Sequence, residues 1–389
     1  MMGNLPIHSP LGASGAARWM ECPASVQLSQ GLENEESEFA RQGTIAHALA
    51  ALCLQDRSDA WTHVGSKLSL FEGYDIDVEM ADAVQVYLDA VRGWHEDMNQ
   101  GNTWIERGFH CPSIHDYFYG TADLVHIDLD NRELHVWDYK HGAGIVVDVQ
   151  NNVQCMYYGV GALEDLQAWS EVDHVVLHIA QPRGFHYAGP IRDWTISVAD
   201  LENWMDDELV PAMDVAMVSR DTNSGSHCGF CPVIAAKCPQ IEEDMDELEN
   251  MMKQIDKAGG AEKLSNEDVG RYLELFGIAK KVAKAAEKTA YARLKAGNEV
   301  PGMKLVMGRT NREWKEGAEE ALIKKFGDKA YEKTLVSPTK AEKLIGGKAF
   351  AERWAFKPKG SYTCAPDSDS RRAVNVDTKS MFTATEKKG

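Results

Sequence analysis

The sequence predicts an α/β fold, with a mixed central β-sheet flanked by helices and a mainly helical C-terminal region. Three observations carry this. Stretches of strand-forming residues recur at 104–110, 120–128, 133–140, 172–180 and 191–197, with turn-forming residues between the second and third. A segment of helical composition, 151–166, separates the third from the fourth. Helical patterns precede the first strand and return after residue 241, so the order helix, helix, three strands, helix, two strands fits one sheet with helices packed on it.

Residues 13–30 have helical composition around Trp19, Met20 and Val26, interrupted by Cys22-Pro23. Proline is tolerated in a first helical turn, so a helix is expected to start near Pro23, with Cys22 at its edge and exposed enough to be a ligand. Acidic residues 33–38 lead into a helical pattern over 39–54, built on Phe39, Ile45, Ala46, Leu49, Ala50 and Leu52 and containing His47. A lone helical histidine is more often a hydrogen-bonded core residue than a ligand. Residues 77–98 carry an amphipathic stripe of Met80, Val84, Tyr87, Leu88, Val91 and Trp94, which reads as packing.

The next strand, 104–110, offers Glu106 on one face. Residues 120–128 and 133–140 then read as a hairpin that can set Asp123 beside Asp138. Side chains alternate along a strand, so Asp138 and Lys140 share a face and Tyr139 takes the other. Two carboxylates and the Tyr139 main-chain carbonyl are hard oxygen ligands suited to Mg²⁺ or Mn²⁺. Lys140 would then orient an attacking water or stabilise charge developing on phosphorus. A surface hairpin with solvated Asp and Lys is the plain alternative. Residues 144–149 read as a short apolar strand, and the helix over 151–166 bears Gln154 and Tyr158 one turn apart. The core should close near residue 220.

Beyond it, 241–257 is charged and helical, 258–260 breaks the helix, and 265–296 is a long helix with apolar Val269, Leu273, Phe276, Ile278 and Val282. Its later part carries Lys280, Lys281, Lys284, Lys288, Arg293 and Lys295, a candidate positive stripe for DNA phosphates. Residues 303–314 read as a strand and basic turn, helices follow to about 350, and the Pro-, Gly-, Ser- and Thr-rich tail from 357 is expected to be flexible. The domains expected are 1–240, 241–356 and 357–389.

The chain has 389 residues and a net charge of −19, divided unevenly. Residues 1–250 hold 12 Lys and Arg against 41 Asp and Glu, a net of −29, and residues 251–389 hold 29 against 19, a net of +10. This asymmetry suits an acidic body joined to a nucleic-acid-binding half, although a solvated helical surface gives the same count. No apolar run reaches the roughly 20 residues of a membrane span, and the N-terminus lacks the pattern of a signal peptide. A cytoplasmic protein without a membrane partner is expected.

With no secretion signal, the cysteines at 22, 53, 111, 155, 228, 231, 238 and 364 are not expected to form disulfides. Cys228, Cys231 and Cys238 are clustered and lack a nearby fourth thiolate; His227 could complete a zinc site. Cys53, Cys111, Cys155 and Cys364 lack metal spacing and read as small buried apolar residues.

Four short motifs occur in order: Gly43-Thr-Ile-Ala-His47, Gly120-Thr-Ala-Asp123, Asp138-Tyr-Lys140 and Gln154-Cys-Met-Tyr-Tyr158. Each is weak alone, but together they resemble the RecB-like branch of the PD-(D/E)XK nuclease superfamily. The resemblance implies a restriction-endonuclease-like core. It also implies a metal held by His47, Asp123, Asp138 and Tyr139, and a catalytic set of Asp123, Asp138, Lys140, Gln154, Tyr158 and Glu106. Gln154 and Tyr158 would contact the DNA backbone or brace Lys140. Some members of this branch, including AddB-type helicase-nucleases, carry a [4Fe-4S] cluster on three late cysteines and one far upstream. That similarity implies Cys22, Cys228, Cys231 and Cys238 as ligands, with zinc as the alternative.

The whole chain also resembles a phage family of unknown function, including Asn311-Arg-Glu-Trp314 and the stretch from Pro366 to Arg372, which implies a viral origin and host cytoplasm. The expected activity is a divalent-metal-dependent DNA exonuclease in phage-type recombination or replication. An endonuclease of the same fold, or a non-catalytic DNA-binding scaffold with a metal-stapled core, is the alternative. DNA is the expected partner, with a phage single-strand annealing or replication protein beside it.

Overall fold

The computed structural model describes residues 6, 8–32, 38–66, 75–95, 102–235, 238–304 and 306. The chain divides into two compact units, 1–299 and 300–389. Of the second, the described residues form only a turn in which the Met303 amide donates to the Val300 carbonyl, with no strand at 303–304. The other expectations for 307–389, including Cys364 and the tail, lie outside the described residues.

In the first unit, α1 (Ala16–Glu21) and α2 (Ala24–Leu28) precede α3 (Glu38–Asp56) and α4 (Val78–Trp94). Then come β1 (Thr103–His110), β2 (Tyr119–Asp128), β3 (Glu133–Tyr139), α5 (Val153–Asp165), β4 (His174–Ala180) and β5 (Ile191–Ser197). Helices α6 (Val198–Trp204), α7 (Val210–Val218), α8 (Pro239–Ala258) and α9 (Asn266–Lys295) complete it. The five strands lie in sequence order in one sheet. Only β3 and β4 are parallel, because the crossover through α5 returns the chain in the same direction, whereas direct connections join antiparallel neighbours.

Alternation along the strands divides the core. Leu134, Val136, Val175, Leu177 and Ile179 face α5, the N-terminal helices and α6–α7, whereas Leu124, Trp137 and Tyr139 pack with α3 and α4. Helix α5 comes close to β1 at Gly161, where a Cβ would stand 2.3 Å from the Phe109 ring. That approach fixes the helix bearing Gln154 against the sheet. Asn152 caps it by accepting from the Gln154 and Cys155 amides.

Two expectations need correction. Residues 144–149 form no strand: their backbone bonds go to side chains, as Gln181 Nε2 donates to the Gly142 and Ile145 carbonyls and Arg192 to that of Val147. A helix does begin near Pro23, α2 with that residue as its N-cap, but Cys22 between α1 and α2 is buried and not exposed. Helix α9 packs on the short turns 226–230 and 232–235 that precede α8, within the unit 1–299.

On the α4 side lies a histidine stack that the sequence reading missed. His95 stacks on His126 with centroids 4.0 Å apart, His178 lies flat on Trp137 at 4.0 Å, and His135 Nδ1 is 3.0 Å from His178 Nε2. Trp137 Nε1 donates to His95 Nε2. Burial, aided in His95 and His135 by neighbouring imidazoles, lowers their pKa values to about 3 and about 4, and it lowers His126 and His178 as well. These rings are neutral in the fold and bind protons once unfolded, so stability is present above pH 6.5 and lost as pH falls from 6.5 toward 4. Each histidine contributes a slope of up to about 1.4 kcal/mol per pH unit. Melting curves at pH 7.5 and pH 5 should show a clear drop in Tm at the lower pH, before ordinary carboxylates titrate; equal midpoints would contradict the neutral stack.

Candidate active site

The β2–β3 ladder ends with Leu124 opposite Trp137. One step further Asp123 would face Asp138, but there the Tyr139 amide donates to Asp123 Oδ2 at 2.6 Å. A side chain has replaced the ladder bond, so the strands part around two carboxylates.

The β1–β2 pair is irregular at the same level. Residues two apart on a strand should share a face, yet Ile105 packs toward α3 and α4 while Arg107 donates to Asp165 of α5. Leu124 and Ala122 divide the same way. The face changes at Glu106, whose φ is +51°, and at Asp123 opposite; this pair is missing from the ladder. Such a backbone costs on the order of 1 kcal/mol or more and persists only where surroundings impose it. Its result is a cluster: His47, Glu106 and Asp123 each place a ligand atom within 4.8 Å of the others.

His47 reaches this cluster from α3. Its Nδ1 lies 3.0 Å from Asp123 Oδ1, and its ring meets Tyr139 edge-on at 5.4 Å. Gly43, one turn earlier, has open space where a Cβ would be. Glycine costs about 1 kcal/mol in a helix relative to alanine, and no packing among the described residues requires it here.

On the other side of the gap, Asp138 is buried, with Lys140 Nζ 3.1 Å from Oδ1 and 2.8 Å from Oδ2. The second approach is poorly directed, which leaves Oδ2 without a hydrogen bond among the described residues. Lys140 Nζ also donates to Gln154 Oε1 at 2.8 Å, and Gln154 Nε2 donates to the Tyr158 hydroxyl at 3.1 Å. Gln154 therefore braces the lysine, and Tyr158 fixes the amide.

The charges are crowded. Burial raises the Asp138 carboxyl, Lys140 opposing and Asp123 adding to the rise. Burial and the Asp123 charge push Glu106 up to about 7. Burial alone would lower His47, but the charge and hydrogen bond of Asp123 outweigh it and raise the ring; Asp138 does the same for Lys140.

A divalent cation fits this set. Glu106, Asp123 and His47 are hard or borderline donors within reach of one ion, a cation would offset the repulsion of the carboxylates, and Asp138, outside that group of three, keeps Oδ2 without a hydrogen bond among the described residues. Tyr139 turns its ring to the face opposite Asp138 and Lys140, the face of His47, stacked on Tyr87 at 5.2 Å with its hydroxyl 2.9 Å from His141 Nδ1.

The motif cysteines lie in another region, and among the described residues their sulfurs form no group of three within ligand distance. Cys22 accepts from the Asn223 amide at 3.5 Å and Cys228 from the Gly225 amide at 3.4 Å. Burial raises the Cys238 thiol, with Cys22 and Cys231 adding to the rise, and a hydrogen bond to Cys22 raises His227. Residues more than 200 positions apart thus converge, with α1 packed on α7 and on the turn 226–230. Amides directed at sulfur suit thiolates holding a metal or cluster. Cys53, Cys111 and Cys155 are buried, as small apolar residues would be.

Lys281 corrects the reading of the basic stripe. Its Nζ donates to the Gly225 carbonyl at 2.6 Å and lies 3.4 Å from that of Ser226, so it ties α9 to the cysteine turn. Lys280 lies over the Phe276 ring, and Lys284, Lys288, Arg293 and Lys295 are exposed.

These features define an α/β protein with a five-stranded mixed sheet and a histidine–carboxylate cluster where its hairpin opens. The family described as "Protein of unknown function (DUF2800)" matches residues 8–372, and the chain belongs to it. No helix among the described residues is long and apolar enough to cross a membrane.

Proposed function

We propose that this chain is a divalent-metal-dependent nuclease of the RecB-like PD-(D/E)XK type, hydrolysing DNA as an exonuclease in phage-type recombination or replication. The observation that carries the reading is the opened end of the β2–β3 hairpin. There Glu106 and Asp123 meet His47 on one side, and Asp138 holds a braced Lys140 on the other. A binding scaffold has no need of clustered carboxylates where phosphate must approach.

Asp123, Asp138, His47 and the Tyr139 carbonyl would hold Mg²⁺ or Mn²⁺, with Glu106 beside them. The ion would polarise the phosphoryl oxygen and lower the pKa of a bound water. Lys140 stays an ammonium and keeps a proton donor beside Asp138, where charge would develop on phosphorus. Gln154 holds Nζ in place. The open space at Gly43 leaves room for a phosphate backbone beside His47.

Cys22, Cys228, Cys231 and Cys238 would carry a [4Fe-4S] cluster that staples α1 to the turns before α8; zinc is the alternative, with His227 near Cys22. Hydrolysis transfers no electrons, so the cluster's role here is structural.

The exonuclease reading is tested with end-labelled linear DNA and covalently closed circles of the same sequence. Loss of label from linear DNA with intact circles is expected; nicked or linearised circles would make the enzyme an endonuclease.

The basic helix adds a separate expectation. Lys284 and Lys288 lie one turn apart and exposed on α9. Each duplex phosphate they neutralise contributes about −0.9 to the slope of log affinity against log salt. Replacing both by glutamine should weaken binding to all sequences and flatten that slope by roughly two units. An unchanged slope would mean that these lysines do not touch DNA.

A further inference from the structure

Two loops leave the sheet where the candidate catalytic residues sit. Residues 140–152 run from Lys140 to the cap of α5, and residues 181–190 follow β4, whose last residues pair with Asp138 and Tyr139. They are fastened to each other from beneath. Gln181 is buried and bonds three ways into the first loop: Nε2 donates to the Gly142 and Ile145 carbonyls, and Oε1 accepts from the Val147 amide. Arg192, buried on β5, donates to the carbonyls of Val147 and Gly189 and to Gln181 Oε1. Gly184 closes over Gln181 so tightly that a Cβ there would stand 2.8 Å from its side chain.

A buried arginine and glutamine thus fix loops that need no such fixing to join two strands. What the loops present outward is aromatic and apolar. Phe185 and Tyr187 are each 73% exposed and Ile145 is 59% exposed. Tyr187 stacks on the buried His186, with centroids 4.4 Å apart and planes at 29°, so its ring is backed on one side and set in orientation.

We infer that these braced loops form a stacking platform for an unpaired DNA strand, with Tyr187 taking a base next to the site of cleavage. The identity of the ligand rests on the nuclease reading. The observations favour a single strand over intact duplex. Residues 1–250 carry a net charge of −29, with 12 basic against 41 acidic residues, so charge attraction to phosphate is weak here. Stacking uses the π-face that every base has, so it tolerates any sequence, and it requires bases that are not already paired. A fixed ring beside a hydrolytic centre holds the strand while the phosphate is positioned. Arg183 in the same loop donates to Glu79 of α4, which sets the second loop against the helical side of the site.

The test measures anisotropy of a labelled oligothymidylate, and of a duplex of equal length, with the full chain in Ca²⁺ in place of Mg²⁺; cleavage in Mg²⁺ is followed separately. One base on one aromatic ring is worth about tenfold in affinity. Tyr187→Ala should weaken single-strand binding about tenfold and duplex binding less than twofold, while Tyr187→Phe binds as wild type. A wild type that does not cleave DNA but shows this pattern would remove the nuclease reading and leave the platform standing. A wild type that cleaves, with Tyr187→Ala binding single strands equally well, would overturn the platform, keep the nuclease and leave the rings to a protein partner.

Discussion

Asp138→Asn is expected to lower metal-dependent cleavage by about three orders of magnitude while leaving the fold intact. The substitution preserves shape and removes a charge that is buried, bonded to Lys140 and one oxygen short of its hydrogen bonds. A neutral amide cannot replace a carboxylate ligand to Mg²⁺ without loss of both affinity and the positioning of water. Lys140→Gln should cost roughly 10²–10³-fold, the scale of removing one preorganised donor from developing charge. Circular dichroism of both variants should resemble wild type, while the Tm falls because each leaves one member of a buried ion pair without its counter-charge. Full activity in either variant would remove the catalytic assignment.

The second large effect concerns the cysteines. Protein purified without oxygen should be brown and contain iron and sulfide, and Cys231→Ser should lose both. Cys22, just after α1, and the thiols of residues 228–238 stand more than 200 positions apart, so the cluster would hold together elements distant in sequence. Loss of such a staple is expected to lower the Tm by about 10 °C or more. Stoichiometric zinc without iron in an anaerobic preparation would decide for the alternative.

The hairpin, the partnership of Asp138 with Lys140 and the helix carrying Gln154 were legible in sequence because they depend on local spacing. Period-two alternation puts Asp138 and Lys140 together whatever the rest of the chain does, and Gln154 and Tyr158 share a helical face. The alignment of the four motifs also brought in His47, which the helix alone would have left as a core histidine.

Glu106 entered the site only through the resemblance; the turn of two strands to the other face at one level, which sets it beside His47 and Asp123, was not legible. Residues 144–149 looked like a strand because apolar β-branched residues look the same whether their backbone bonds go to a ladder or to Gln181 and Arg192. Lys281 was misread for a related reason: a charge stripe on a helix does not say that one of its lysines is turned onto neighbouring carbonyls. The histidine stack draws on positions 95, 126, 135 and 178, and only the sheet register brings them together.

The most direct measurement is release of acid-soluble nucleotides from uniformly labelled linear DNA by the purified chain. With Mg²⁺ or Mn²⁺ the release should rise steadily with time, and excess EDTA should stop it. No release with either metal, from single-stranded or duplex DNA, would contradict the assignment of a hydrolytic centre to Asp123, Asp138 and Lys140.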